Sequence, residues 1–240
     1  MTMLKELEKV LEYYNLKFIT KKEIKKLIKD NNIQKNTDQL IYKLIQKKKL
    51  VKIKNELYLY IPFKSINNIP NTNEFEINEK YLGNSKYYIG LWSAYNLYNF
   101  TNQIPNKLYI FNTKYQKIIK ILNYNIIYIK TNKLYGIINK KYPYSDKEKT
   151  IIDVLNYFKY IGNLKDIIEN IKTKKYNEEK LIKYAKKEKS IKLLKLIGII
   201  TENDKLYNYL KKNNKLNYYT HIRNSKKKEV YRKWKIKLIN

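Results

Sequence analysis

A chain of 240 residues with 43% hydrophobic content can build one large core or two smaller ones, which excludes a disordered tail. With no cysteine and a single histidine, His221, it has no means to form disulfides, thiolate zinc sites or cysteine nucleophiles, and little for a histidine-based triad. The net charge of +31 attracts phosphate polyanions, but all basic residues except Arg223 and Arg232 are lysines, in a chain crowded with Ile, Asn and Tyr that AT-rich codons favour. Where the lysines sit therefore matters more than their total.

The N-terminus, MTMLKELEKVLEYY, is charged and amphipathic, and no apolar run approaches the roughly eighteen residues of a membrane span. A cytoplasmic protein that stays out of the membrane is expected. Leu4, Leu7, Leu11 and Tyr14 share one helical face with Val10 beside them, predicting a first helix over 3–14. Thr20 and Glu23 have capping-box spacing and open a second helix with an Ile24, Leu27, Ile28 stripe, which Asp30, Asn31 and Asn32 stop. After a turn anchored by Ile33, a third helix from about Thr37 buries Leu40, Ile41, Leu44 and Ile45. Leu50–Ile53 and Leu57–Tyr60, joined at Asn55–Glu56 and stopped by Pro62, read as a hairpin. Three helices followed by a hairpin is the order of a winged helix-turn-helix.

Residues 64–78 are polar, contain Pro70 and have neither period, and read as a linker between a domain of 1–63 and one of 79–240. The second domain reads as an aromatic-rich helix over 87–100, then short strands at Leu108–Phe111, Ile118–Leu122, Ile126–Ile129 and Leu134–Ile138, forming a small mixed or antiparallel sheet. Ser145 and Glu148 have capping-box spacing before a helix with Ile151, Ile152, Leu155 and Phe158 inward. Four shorter helical patterns follow at about 163–172, 177–187, 190–198 and 203–212, and residues 230–239 read as one last strand with a basic outer face. The fold class expected is α+β, an N-terminal winged helix-turn-helix plus a C-terminal domain with a small sheet and several helices.

Three stretches resemble the AbiEi family, the antitoxin and transcriptional regulator of type IV toxin-antitoxin loci. They are Leu40–Ile45 with the hairpin residues Leu50–Ile53 and Leu57–Tyr58, then Tyr87–Ala94 continuing through Leu97, Thr101, Gln103 and Pro105, and finally Ser145–Asp153. The resemblance implies an N-terminal domain that binds double-stranded DNA at inverted repeats in its own promoter, as a possible homodimer. It also implies a C-terminal domain that makes protein contacts or opposes a nucleotidyltransferase toxin. Relatives usually have glycine after the third helix and in the wing turn, where this chain has Lys47–Lys49 and Glu56; a carboxylate at the wing tip repels phosphate.

The DNA-binding residues expected are Thr37, Gln39, Tyr42, Lys43 and Gln46 on the third helix, with Lys47, Lys49, Lys52 and Lys54 toward the wing. Amides can bond adenine edges, and lysine can bond guanine or phosphate; the alternative is a solvated helix face. Asp38 is expected to cap that helix. The runs Lys47–Lys49 and Lys226–Lys228 would neutralise phosphates or simply be solvated. Asp146, Glu148 and Asp153 raise a metal-dependent nuclease, but a cap and a helix dipole explain the first two and Asp153 can bond a neighbouring turn. Glu-x-Lys triplets arise by chance in so lysine-rich a chain. Catalytic residues, metals and cofactors are therefore not expected, and His221 is assigned no role. Trp92, Tyr87, Tyr88, Tyr95, Tyr98 and Phe100 are expected in the core rather than as a base-stacking platform. The competing function is a protein-binding antitoxin whose DNA affinity is incidental.

Overall fold

Residues 3–33, 36–63, 72–223 and 228–239 are described by a computed structural model. They form an α+β structure in two units, Met1–Ser85 with Ile118–Ile126, and Lys86–Lys117 with Ile127–Asn240.

In the first unit, α1 (Met3–Tyr14) buries Leu7 and Leu11, while Tyr14 turns to solvent instead of completing the stripe. The capping box at the start of α2 (Lys21–Asp30) forms as its spacing predicts. The Thr20 hydroxyl accepts from the Glu23 amide at 3.2 Å, and the Glu23 carboxylate accepts from the Thr20 amide at 2.7 Å. Asn31 caps the other end, Asn32 takes the left-handed conformation, and buried Ile33 anchors the turn. Helix α3 (Thr37–Gln46) packs Leu40, Ile41 and Leu44 inward. Strands β2 (Leu50–Lys54) and β3 (Leu57–Tyr60) pair antiparallel across the Asn55–Glu56 turn. A strand absent from the sequence reading, β1 (Phe18–Thr20), pairs with β3 and completes a sheet of order β1-β3-β2. At three residues it is too short to show alternation.

The linker reading needs correction. Residues 64–71 lie outside the described residues, but 74–78 open a helix, α4 (Glu74–Leu82). Asn73 caps it by accepting from the Phe75 and Glu76 amides, and Ile77, Tyr81 and Leu82 are buried. The polar first turn hid the helical period. The first unit runs through Ser85 and also takes in Ile118–Ile126.

In the second unit, residues 87–89, expected to be helical, form strand β4 (Tyr87–Ile89) because they pair with β5 (Leu108–Asn112) on one side and with β9 (Pro143–Ser145) on the other. The helix α5 (Leu91–Leu97) starts only after Gly90, where a Cβ would stand 2.7 Å from the Phe111 ring. β6 (Lys117–Ile121) falls almost wholly in the Ile118–Ile126 part of the first unit and is followed by β7 (Tyr124–Lys130); with β8 (Ile137–Asn139), the strand order of the sheet is β7-β5-β4-β9-β8. It is mixed: β4 pairs parallel to β9 and antiparallel to β5. Leu134 precedes β8 instead of opening it. Helix α6 (Lys147–Asn156) runs from this sheet into α7 (Leu164–Lys172), α8 (Glu178–Lys187), α9 (Ile191–Thr201) and α10 (Asp204–Lys212), close to the four expected spans.

The C-terminal segment is two strands rather than one. β11 (Glu229–Tyr231) and β12 (Ile236–Ile239) form a hairpin with Trp234 buried in its turn, and β10 (Thr220–Arg223) pairs parallel to β12. Buried Lys195 of α9 holds this sheet by donating to the Tyr218 carbonyl at 2.8 Å and the Thr220 hydroxyl at 3.1 Å. Tyr88, Tyr95 and Phe100 are core residues, as the aromatic spacing suggests, and Trp92 and Tyr98 pack against that core.

Candidate nucleic-acid interface

Helix α3 is positioned by its apolar stripe, which seats it on α1, α2 and β2 and leaves the other side outward. At 100° per residue, Gln39, Tyr42, Lys43 and Gln46 fall within an arc of about 100°. All four are exposed, Tyr42 at 63%, and none has a side-chain hydrogen bond or ion pair among the described residues. Lys52, on the outer side of β2, is likewise exposed. These five residues retain the freedom a base or phosphate contact requires.

The remaining expected residues are placed differently. Thr37, at the first helical position, is half-buried. Lys47 is exposed but leans on buried Glu8 at 3.4 Å. Lys49 lies over the Phe63 ring at 3.7 Å, a cation–π contact. Lys54 turns back to donate to the Tyr81 carbonyl at 2.9 Å. The pull on these lysines comes from groups 14 to 39 positions away in the chain, which local spacing does not reveal.

Asp38 does not cap α3. Asn36 does, accepting from the Asp38 amide at 2.8 Å, because its side chain stands before the first helical residue. Asp38 instead pairs with Lys21 at 2.7 Å, joining the first turns of α2 and α3. That hydrogen bond holds the Lys21 ammonium above its ordinary range. The Glu56 carbonyl accepts from the Lys21 amide at 3.0 Å, so the hairpin turn is tied to the same point. Lys48 and Glu56 both adopt φ of +57°, at the two places where glycine was expected. Each carries the strain of a left-handed side chain, of the order of 1 kcal/mol. Lys48, part of the run expected to neutralise phosphates, is exposed at the end of α3 and makes no side-chain hydrogen bond or ion pair among the described residues.

The carboxylates that raised a nuclease are held by protein groups. Asp146, not Ser145, caps α6, accepting from the Lys149 amide at 2.7 Å; it also meets Lys180 at 3.0 Å and the Tyr184 hydroxyl at 2.9 Å. The expected capping box is absent because Ser145 ends β9, where its hydroxyl meets that of Thr150. Glu148 accepts from the Asn177 amide and pairs with Lys180, interactions that hold its carboxyl below the usual range against the opposing effect of burial. Asp153 bonds Lys149, one turn earlier, at 2.8 Å and the Tyr88 hydroxyl at 3.0 Å. Burial pushes Asp153 up to about 6, with Lys149 opposing. Lys149 also faces Glu188 at 3.7 Å, and these groups line a cavity of about 540 Å³. Among the described residues no three His, Asp or Glu side chains converge as a metal site requires. Of the second lysine run, Lys226 and Lys227 lie outside the described residues and Lys228 is exposed.

No family model and no curated protein matches this chain. Its fold is similar to that of the crystal structure of the RV2827C protein from Mycobacterium tuberculosis, with a TM-score of 0.68 over 99% of this chain and 91% of that one. The two are 11% identical, so the likeness is one of fold.

Proposed function

We propose that the first unit is a winged helix-turn-helix that binds duplex DNA, its own promoter region above all, as a transcriptional regulator of AbiEi antitoxin type. In this reading α3 enters the major groove, the β2–β3 hairpin is the wing, and no catalysis is involved. The observation that carries it is the exposed, polar arc of Gln39, Tyr42, Lys43 and Gln46, unpartnered among the described residues, beside a chain segment (37–54) with six lysines against one aspartate. Five of the nine expected residues, Gln39, Tyr42, Lys43, Gln46 and Lys52, support it directly; Lys47, Lys49 and Lys54 would have to leave their present contacts, and Thr37 is half-buried. The cytoplasm is the compartment where such a regulator acts, and among the described residues no helix is long and apolar enough to cross a membrane.

The test is electrophoretic retardation of the fragment upstream of the gene, against random duplex of equal length. Log affinity should fall against log salt by about 0.9 per phosphate neutralised. Joint replacement of Gln39 and Lys43 by alanine should cost selectivity more than bulk affinity. Equal loss on random DNA would count against sequence reading by α3.

The second unit supplies protein contacts in this proposal, either a nucleotidyltransferase toxin or a second copy. Ile104, 88% exposed at the rim of a cavity lined by Trp92, Tyr109 and Tyr160, favours a role in contacts. Co-purification of the full chain with the product of a neighbouring gene, lost on Ile104→Asp, would support the protein-binding antitoxin reading.

A further inference from the structure

We infer that the half-site read by α3 is rich in A·T pairs and is recognised through adenine edges in the major groove; this rests on the duplex-binding reading above. Each base pair presents a distinct pattern there, and each pattern selects a side chain. Guanine shows two acceptors, O6 and N7, and is best met by the paired donors of arginine. Cytosine shows an amino donor and is met by a free carboxylate. Adenine shows one acceptor and one donor, N7 and the N6 amino group, which only an amide matches with two bonds.

The outward arc of α3 holds two amides, Gln39 and Gln46, against a single donor suited to guanine, Lys43, and it has neither arginine nor a free carboxylate. Arginine is absent from the first unit, since Arg223 and Arg232 both belong to the second. The one carboxylate of α3, Asp38, is committed to Lys21 at 2.7 Å. Gln39 and Gln46 are seven residues, about two turns and 10.5 Å, apart. That separation spans at most about three base steps, so the two amides address separate adenines rather than one. Between them, Tyr42 presents a ring edge to a thymine methyl, and Lys43 can donate to a phosphate or to one guanine. Hence the arc's chemistry tolerates at most one G·C pair within the stretch it spans.

Selection of duplexes from a fully randomised library by the full chain, followed by affinities on synthetic duplexes, tests this. Enriched sites should carry two adenines up to about three steps apart in an A·T-rich half-site. Replacing either adenine by guanine should cost about tenfold, and 7-deazaadenine, which lacks the N7 acceptor but leaves the minor groove unchanged, should cost a comparable factor. Gln39→Ala and Gln46→Ala should each abolish the discrimination at one of the two positions, whereas Lys52→Ala should weaken all duplexes alike. Enrichment of G·C half-sites, or equal binding to A·T and G·C duplexes, would overturn the inference while leaving DNA binding intact. A·T preference that survives both glutamine substitutions or 7-deazaadenine would also overturn it, locating the readout in minor-groove shape. Failure to bind any duplex at low salt would remove the underlying reading and this inference together.

Discussion

Gly198 stands in the middle of α9, where helix propensity alone favours alanine by about 1 kcal/mol. The structure argues the opposite. A Cβ at this position would lie 2.2 Å from two carbons of the Trp234 ring and 2.6 Å from a third, against about 3.5–4.0 Å for relaxed carbon contact. The indole has little room to retreat. It is 1% exposed, its Nε1 donates to Glu202 at 3.2 Å, and Tyr207 meets it edge-on with ring centroids 5.6 Å apart. Clearing the contact therefore means moving the ring by more than 1 Å or bending the helix; overpacking of this kind costs roughly 1–3 kcal/mol or more. Gly198→Ala should consequently destabilise the second unit by about 2 kcal/mol after the propensity gain is subtracted, lowering Tm by about 4–8 °C. Thermal and urea unfolding followed by tryptophan fluorescence would measure it. In a Trp234→Leu background the same substitution should cost much less, giving a coupling energy well above the usual additivity error of about 0.5 kcal/mol. An unchanged or higher Tm for Gly198→Ala, with additive behaviour in the double variant, would refute the argument that the glycine is there to admit the indole.

Glu56→Gly should stabilise the first unit by up to about 1 kcal/mol by relieving the +57° φ, and under the proposed function should raise duplex affinity most at low salt because a carboxylate leaves the β2–β3 turn. Lower affinity in a salt titration would mean that the turn does not approach phosphate. Lys52→Ala should reduce the slope of log affinity against log salt by about 0.9 without changing sequence preference, and an unaltered slope would remove Lys52 from the interface. Asp153 is buried with a carboxyl raised from 3.8 to about 6. An acid with a raised folded pKa favours the unfolded chain as pH rises between those two values, so stability should fall relative to Asp153→Asn from about pH 4 to about pH 6; a parallel pair of stability–pH curves would contradict this. Lys149→Met should destabilise the second unit by roughly 3–5 kcal/mol at neutral pH, since it leaves Asp153 buried without its cation, and the loss should shrink as pH falls toward about 6, because without Lys149 the Asp153 carboxyl takes up its proton above that value.

The parts legible in the sequence are those whose causes lie within one or two helical turns. The stripes of α2 and α3 and the capping box at Thr20 and Glu23 rest on i, i+3 and i, i+4 relations, and α7 to α10 show the same period. The absence of cysteine, equally local knowledge, removed disulfide and thiolate chemistry outright. The face of α3 was readable for the same reason: burying Leu40, Ile41 and Leu44 obliges Gln39, Tyr42, Lys43 and Gln46 to point away.

Tertiary structure alone decided everything that depends on a distant partner. Three residues at 18–20 become a strand because β3 offers its edge, and 87–89 become a strand rather than a helical turn because β5 and β9 flank them. Asp146 caps α6 because Ser145 is already held in β9. Of the lysines expected near DNA, Lys47, Lys49 and Lys54 are drawn to Glu8, Phe63 and Tyr81, while Lys43 and Lys52 have no side-chain hydrogen bond or ion pair among the described residues. A lysine side chain is long, flexible and compatible with water, ring or carbonyl, so its own position leaves the outcome open and the neighbour that folding brings within reach determines it.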